Sequence, residues 1–455
     1  MKNRIIKLKN DLYPVRAIPV TRAEVFVMNS FWLVSLVVVT VFFSLTAHAV
    51  EPLSGGSFSA LDARARAGEP ITVVFFGASL TWGANATDQA HTSYRAVVAD
   101  LLAQRYPKAP IHCHDAAIGG TGSQLGVFRL ERDVLRRKPD LVFLDFSAND
   151  DINSADPETL ASYESIVRRL VQAKIPVVQV AFPFKWNINA EQLPGMKRRL
   201  AHRAIAEAYG SGWGDAIELI VHQVTEKKAT VDELWNTDPV HPGDAGYRLF
   251  AAAAWAAYEQ AVSEQRIGKI PELMLNPSTY MTFNRVAFTS LGDLPAGWSR
   301  GRPHLTSIYY DFQMSRWQDE QIVATSMLEG KDAEGTVTKK SQTVAPLIVT
   351  VQATNILLFG EATTGSGHFR ISVDGKVVTG RSEQEQEKGT DLFIGNRWKT
   401  GHGHQWIEIA RGLDPNVAHV VEITPVFISG QAEELRFESV CVAGGMASVG
   451  RWVTE

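Results

Sequence analysis

Cysteine is scarce. The 455 residues contain two, Cys113 and Cys441. Two thiols cannot make a disulfide scaffold or a Cys-rich zinc site. Each is expected to be a core thiol rather than half of a disulfide. Charge of one sign is missing too: 45 Lys and Arg face 49 Asp and Glu, for a formal charge of −4 with no long single-sign block. The basic stripe of a nucleic-acid binder is therefore absent. With 45% hydrophobic and 21% charged residues, the chain is neither disordered nor fibrous. Long apolar runs are also rare. Residues 31–45 are uncharged and apolar, but a spanning helix needs about 20 such residues. Lys2, Arg4, Lys7, Lys9, Arg16 and Arg22 precede the run, and Ala47-His48-Ala49 follows it. This is the pattern of a signal peptide over residues 1–49, with Met1 or Met28 as the start. Its removal takes six basic and two acidic residues (Asp11, Glu24), which moves the formal charge from −4 to −8. An exported protein, periplasmic or secreted, is expected, with no membrane span after cleavage.

Residues 54–265 alternate short apolar runs with helical patterns. Strands are expected at 71–76, 111–118, 141–146 and 176–181. Helices are expected at 93–106, 125–137, 157–173, 191–209 and 245–262. Strands separated by helices imply βαβ units and a parallel sheet covered on both faces, hence a three-layer α/β/α sandwich. Residues 266–273 read as a linker, with Pro271 as a breaker. From 275 to 448 helical periodicity is lost. Strand-like runs occur at 308–312, 347–352, 356–359, 369–373, 406–409, 420–423 and 435–442. Asp374-Gly375 marks a type I′ hairpin. The second half is expected to be an all-β sandwich resembling a jelly roll.

Three short motifs fall at the ends of consecutive strands, and a fourth lies before the last helix. Gly77-Ala78-Ser79-Leu80-Thr81 follows the first and places Ser79 at the carboxyl edge of the sheet, where open α/β sheets bind ligands. Ile118-Gly119-Gly120-Thr121-Gly122-Ser123 follows the second, and Ser147-Ala148-Asn149-Asp150 the third. A Gly120 N–H and the Asn149 amide can both donate to a developing oxyanion. Asp238-Pro239-Val240-His241 precedes the last helix. An aspartate three residues before a histidine can hold the imidazole Nδ1–H and leave Nε2 to take a proton from a serine. Each motif alone is common; their order is not. Asp150, Asp151 and Asp244 read as caps or surface groups. His112 and His114 share one strand face, and His402 and His404 have the same spacing. Neither pair has an evident third ligand, so no metal and no cofactor is expected.

Together the motifs resemble those of the SGNH, or GDSL-type, hydrolases, over about 210 residues. The resemblance implies a flavodoxin-like α/β fold and a carboxylic ester hydrolase. Ser79 then takes the nucleophile position, with His241 as base and Asp238 as its orienting acid. The Ser79 N–H, Gly120 N–H and Asn149 amide form the oxyanion hole, with Gly119 the competitor of Gly120. Two positions depart from the family pattern: Ala78 stands for the usual Asp, and Ser147 for the usual Gly, adding bulk beside the oxyanion site. Export, a β-sandwich partner and the tryptophans Trp298, Trp317, Trp398 and Trp406 point to an acetylated carbohydrate of the xylan or xyloglucan type as substrate. Core packing is the alternative fate of those indoles. Trp82 and Trp186 are expected to line the substrate cleft. A lipid or aryl esterase, and a non-catalytic glycan binder with a vestigial core, are the alternatives.

Overall fold

The computed structural model describes residues 54–304, 318–331, 333–381, 385–395 and 403–452. The expected signal peptide, the run 308–312, and Trp317, Trp398 and His402 lie outside these residues.

The first half runs β1 (Ser54–Ser57), α1 (Phe58–Ala67), β2 (Ile71–Gly77), α2 (Ser79–Trp82), α3 (Tyr94–Arg105), β3 (Ile111–Ala117), α4 (Ser123–Asp133), β4 (Leu141–Leu144), α5 (Pro157–Gln172), β5 (Val177–Ala181), α6 (Lys197–Ala208), β6 (Gly212–Asp215), α7 (Ala216–Thr225), α8 (Val231–Leu234), α9 (Asp244–Ser263) and β7 (Ile267–Lys269). Local chemistry sets the helix ends. The Ser57 and Ser93 hydroxyls cap α1 and α3, and Asp156 caps α5 ahead of Pro157 at its first position. Five strands pair in parallel in the order β3-β2-β4-β5-β6. The period of two in a strand then divides the side chains between two layers. Val73 and Phe75 join Leu141, Phe143, Val178 and Val180 under α1, α3, α7 and α9. Val74 and Phe76 join Val142, Leu144 and Val177 under α4, α5 and α6. The strand order reverses at β2, which has β3 on one side and β4 on the other. The crevice above such a switch point is where an α/β sheet binds its ligand.

The second half is all-β. Two six-stranded antiparallel sheets carry its core. One is built on Asn355–Ala362, Gly403–Ala410 and Glu434–Ala443, the other on Leu347–Gln352, His368–Val373 and His419–Val426. Their facing side chains, among them Val349, Leu358, Phe369, Val421 and Phe437, form one apolar cluster. Asp374 (φ 51°) and Gly375 (φ 75°) make the expected hairpin turn. A second contact is less expected. Leu357, Phe359, Cys441 and Ala443 of the first sheet are buried together with Leu125, Phe128 and Ile166 of α4 and α5. Among the described residues no helix is long and apolar enough to cross a membrane.

Two expectations need correction, the start of one helix and the place of Cys113, and two features were not foreseen. The helix expected at 191–209 begins only at Lys197, because Pro194 and Gly195 lie in a 3-10 turn, Leu193–Gly195. The edge strand β6 was not foreseen. Its sequence, Gly-Trp-Gly-Asp, lacks a β-branched run, since α9 lies so close that a Cβ on Gly214 would come 2.8 Å from the Ala253 carbonyl. The linker is not loose. Ile267–Lys269 pairs with β1, and the buried Glu164 carboxylate accepts from the N–H groups of Leu275 and Asn276. Cys113 is exposed rather than in the core, because β3 is an edge strand; Cys441 is buried, and both are free thiols.

Candidate active site

The turn that carries Ser79 is set by backbone bonds. β2 stops at Gly77, Ala78 stays extended, and Ser79 opens the single turn α2, whose carbonyl receives the N–H of Gly83 (φ 93°). His241 enters from the loop before α9. Its Nε2 lies 3.0 Å from Ser79 Oγ, and its Nδ1 lies 3.1 Å from Asp238 Oδ2. A carboxylate only accepts, so Nδ1 carries the proton and Nε2 faces the serine hydroxyl as an acceptor. The other Asp238 oxygen, Oδ1, accepts the N–H groups of Val240 and His241, each at 2.7 Å. Burial holds His241 below the ordinary histidine pKa of 6.5, and the Asp238 carboxylate only partly offsets it. Burial raises Asp238, but hydrogen bonds from the His241 backbone, the His241 ring and Asn85 outweigh that effect, and Asp238 sits below the usual carboxylate range. The resting pair is therefore a neutral imidazole on an ionised carboxylate, as a general base requires.

Gly120 (φ 70°) and Asn149 lie in the loops after β3 and β4, and both line one cleft. Gly119 is not among its lining residues. Asp150, the residue after Asn149, is a cap as expected: its buried carboxylate accepts the Ser123 N–H at the start of α4, which ties the two loops together. Burial pushes the Asp150 pKa up to about 6 against the pull of Arg198. Asp151 is exposed, and Asp244 accepts from the Thr87 N–H and hydroxyl. Ser147 does not crowd the site. Its hydroxyl turns inward, donates to Asp145 at 2.6 Å and accepts the Phe182 N–H at 2.9 Å, fastening the ends of β4 and β5.

The cleft has a volume of about 880 Å3 and lies between the two halves of the chain. Gly120, Asn149 and Thr159 form one wall; Trp406, Glu408 and Arg411 form the other. Arg411 donates to Asp156 at 2.8 Å, and Arg381 and Arg411 both pair with Glu408. Ser79 and His241 are not among the lining residues, and neither are Trp82 and Trp186. Trp82 is partly buried in α2. Trp186 is 55% exposed beside Phe184, in a loop whose Lys185 N–H donates to Pro239. Trp298 packs in the β core with its indole N–H on the Ala345 carbonyl. His112 and His114 lie on β3, and among the described residues no group of three His, Cys, Asp or Glu is placed to hold a metal.

Sequence reasoning missed two supporting residues. Arg129 is fully buried on α4. Its guanidinium donates to the carbonyls of Gly77 (2.8 Å) and Ala116 (2.6 Å) and covers the Phe76 ring, so one side chain holds the ends of β2 and β3. Asn85 donates to Asp238 Oδ2 at 2.6 Å. Nothing in the spacing of either residue marks it, because both act across the fold.

Residues 75–249 match the GDSL-like Lipase/Acylhydrolase family. Among solved structures, the chain is similar to a two-domain esterase (CEX) active on acetylated mannans and co-crystallised with mannopentaose. The TM-score is 0.61 at 22% identity, covering 86% of this chain and 98% of that one. The same esterase without the mannopentaose gives 0.60 at 21% identity and the same coverage. Axe2, an acetylxylan esterase from Geobacillus stearothermophilus, covers 41% of this chain at 23% identity with a TM-score of 0.36. No curated protein matches the chain in sequence.

Proposed function

We propose that this protein is a serine esterase that removes O-acetyl groups from a polysaccharide. The observation that carries the reading is the continuous chain Ser79 Oγ–His241–Asp238, set at the switch point of the sheet; Gly120 and Asn149, from the two neighbouring loops, line the cleft walled by both halves of the protein. His241 Nε2 takes the Ser79 proton as Oγ attacks the acetyl carbonyl. Asp238 steadies the imidazolium. The Ser79 and Gly120 N–H groups and the Asn149 amide receive the oxyanion. His241 then returns the proton to the sugar oxygen, and water, activated by the same base, releases acetate. The fold shared with an esterase active on acetylated mannans makes acetylated mannan a substrate to test beside xylan and xyloglucan. The wall of Trp406, Arg411 and Glu408 supports a sugar chain over an acyl tail. It offers an indole and hydrogen-bonding side chains, which suits a hydroxyl-rich ligand. Export of the chain belongs to the same proposal.

The test is acetate release from acetylated polysaccharides, compared with p-nitrophenyl esters of rising chain length. Acetate release from polymer, with p-nitrophenyl turnover falling beyond short acyl groups, is expected. Activity confined to long chains would favour a lipid esterase, and none at all a glycan binder. Two further results are expected. Trp406→Ala weakens kcat/KM on polymer by about ten-fold, the size of one lost aromatic contact, and leaves p-nitrophenyl acetate within about two-fold. Equal losses on both substrates would remove Trp406 from the sugar seat. In a pH profile, the acid limb of kcat/KM lies below 6.5, because His241 must be neutral and its pKa is held down by burial. A limb above 6.5 would contradict the buried-base assignment.

A further inference from the structure

We propose that Asn85 is a positioning residue for the Asp238–His241 pair, setting the aim of the imidazole from the nucleophile's own loop. The inference rests on the serine-esterase reading of the site. Asn85 Nδ2 donates to Asp238 Oδ2 at 2.6 Å and reaches the His241 carbonyl at 3.4 Å. Oδ2 is the oxygen that receives His241 Nδ1, while Oδ1 is occupied by two backbone N–H groups. Asn85 thus completes the ring of donors that keeps the carboxylate from rotating. Such a donor matters because the Asp238 side chain is 36% exposed whereas His241 is 5% exposed. Without the amide, mobile water would take its place.

The loop holds Asn85 in this role. Its φ is 66°, in the left-handed region that asparagine tolerates better than other residues with a side chain. On one side, the Ala84 carbonyl accepts the buried Tyr247 hydroxyl at 2.6 Å. On the other, the Thr87 N–H and hydroxyl donate to Asp244. Tyr247 and Asp244 both belong to α9, which begins three residues after His241. The segment leaving Ser79 is therefore fastened to the helix behind the base on both sides of Asn85, and nucleophile, base and acid share one frame.

The test is Asn85→Gly, which fits the left-handed backbone and removes the side chain with its amide. Two quantities are read: kcat and KM on p-nitrophenyl acetate, and the pKa of His241 in the resting enzyme by histidine 15N NMR, assigned by its loss in His241→Ala. We expect kcat to fall about ten-fold or more with KM within about two-fold. We also expect the His241 pKa to rise by about half a unit, because a carboxylate stripped of a donor attracts the imidazolium more strongly. Unchanged kcat, or a lower kcat with an unmoved His241 pKa, would overturn the proposal; the second result would mark a loop-building role. The NMR reading needs no substrate. A wild-type protein inert toward every ester would sink the esterase reading and leave the His241 measurement to judge Asn85.

Discussion

Ser79→Ala yields a folded protein whose kcat on p-nitrophenyl acetate is lower by at least about 10³-fold, the scale on which losing a triad member acts. The substitution removes one oxygen atom from a side chain that is only 4% exposed, and that atom's partner is His241 Nε2. The turn around it is held by the backbone bonds of Ala78, Ser79, Trp82 and Gly83 and by Arg129 behind Gly77. The melting temperature should thus stay within a few degrees of wild type. What survives is the activity that donors and binding supply without a nucleophile. Turnover near the wild-type rate would show that another group attacks the ester.

On the proposed mechanism, with Asn149 as an oxyanion donor, Asn149→Ala comes next in size. Loss of one oxyanion donor raises a barrier by about 2.7–4 kcal/mol, which is 10²–10³ in kcat. The effect belongs in kcat and not in KM, since the charge it meets exists only in the transition state. The variant should fold, because the turn is fastened by its neighbours: Ser147 to Asp145 and Phe182, and Asp150 to Ser123. A rise in KM at constant kcat would instead make Asn149 a ground-state contact.

The sequence showed the parts that obey short-range rules. β2, β4 and β5 are apolar runs, and three motifs follow strand ends, so a parallel sheet with Ser79, Gly120 and Asn149 on one edge was legible. Asp238 and His241 were legible because three residues separate them. Arg129 and Asn85 were not: the first reaches Gly77 over 52 positions and the second reaches Asp238 over 153. β6 was hidden because glycines replace the usual β-branched residues under α9. Trp406 was legible as a tryptophan but not as a wall of the cleft, since its place depends on how the β sheet packs on α4 and α5. Trp82 and Trp186 were chosen by closeness in sequence to the motifs; like Ser79 and His241, they do not line the cleft between the halves.

That packing bears on how the protein can be rebuilt. Binding modules on flexible tethers can be exchanged like attachments on a tool. Here Leu357, Phe359 and Cys441 complete the apolar layer over α4 and α5, the tether is clamped at Glu164, and Trp406 and Glu408 share a cleft with Gly120 and Asn149. A chimera that swaps the β half must bring a matching apolar footprint as well as a binding face. Substrate range in this architecture is therefore retuned by residues along the seam rather than by trading whole modules.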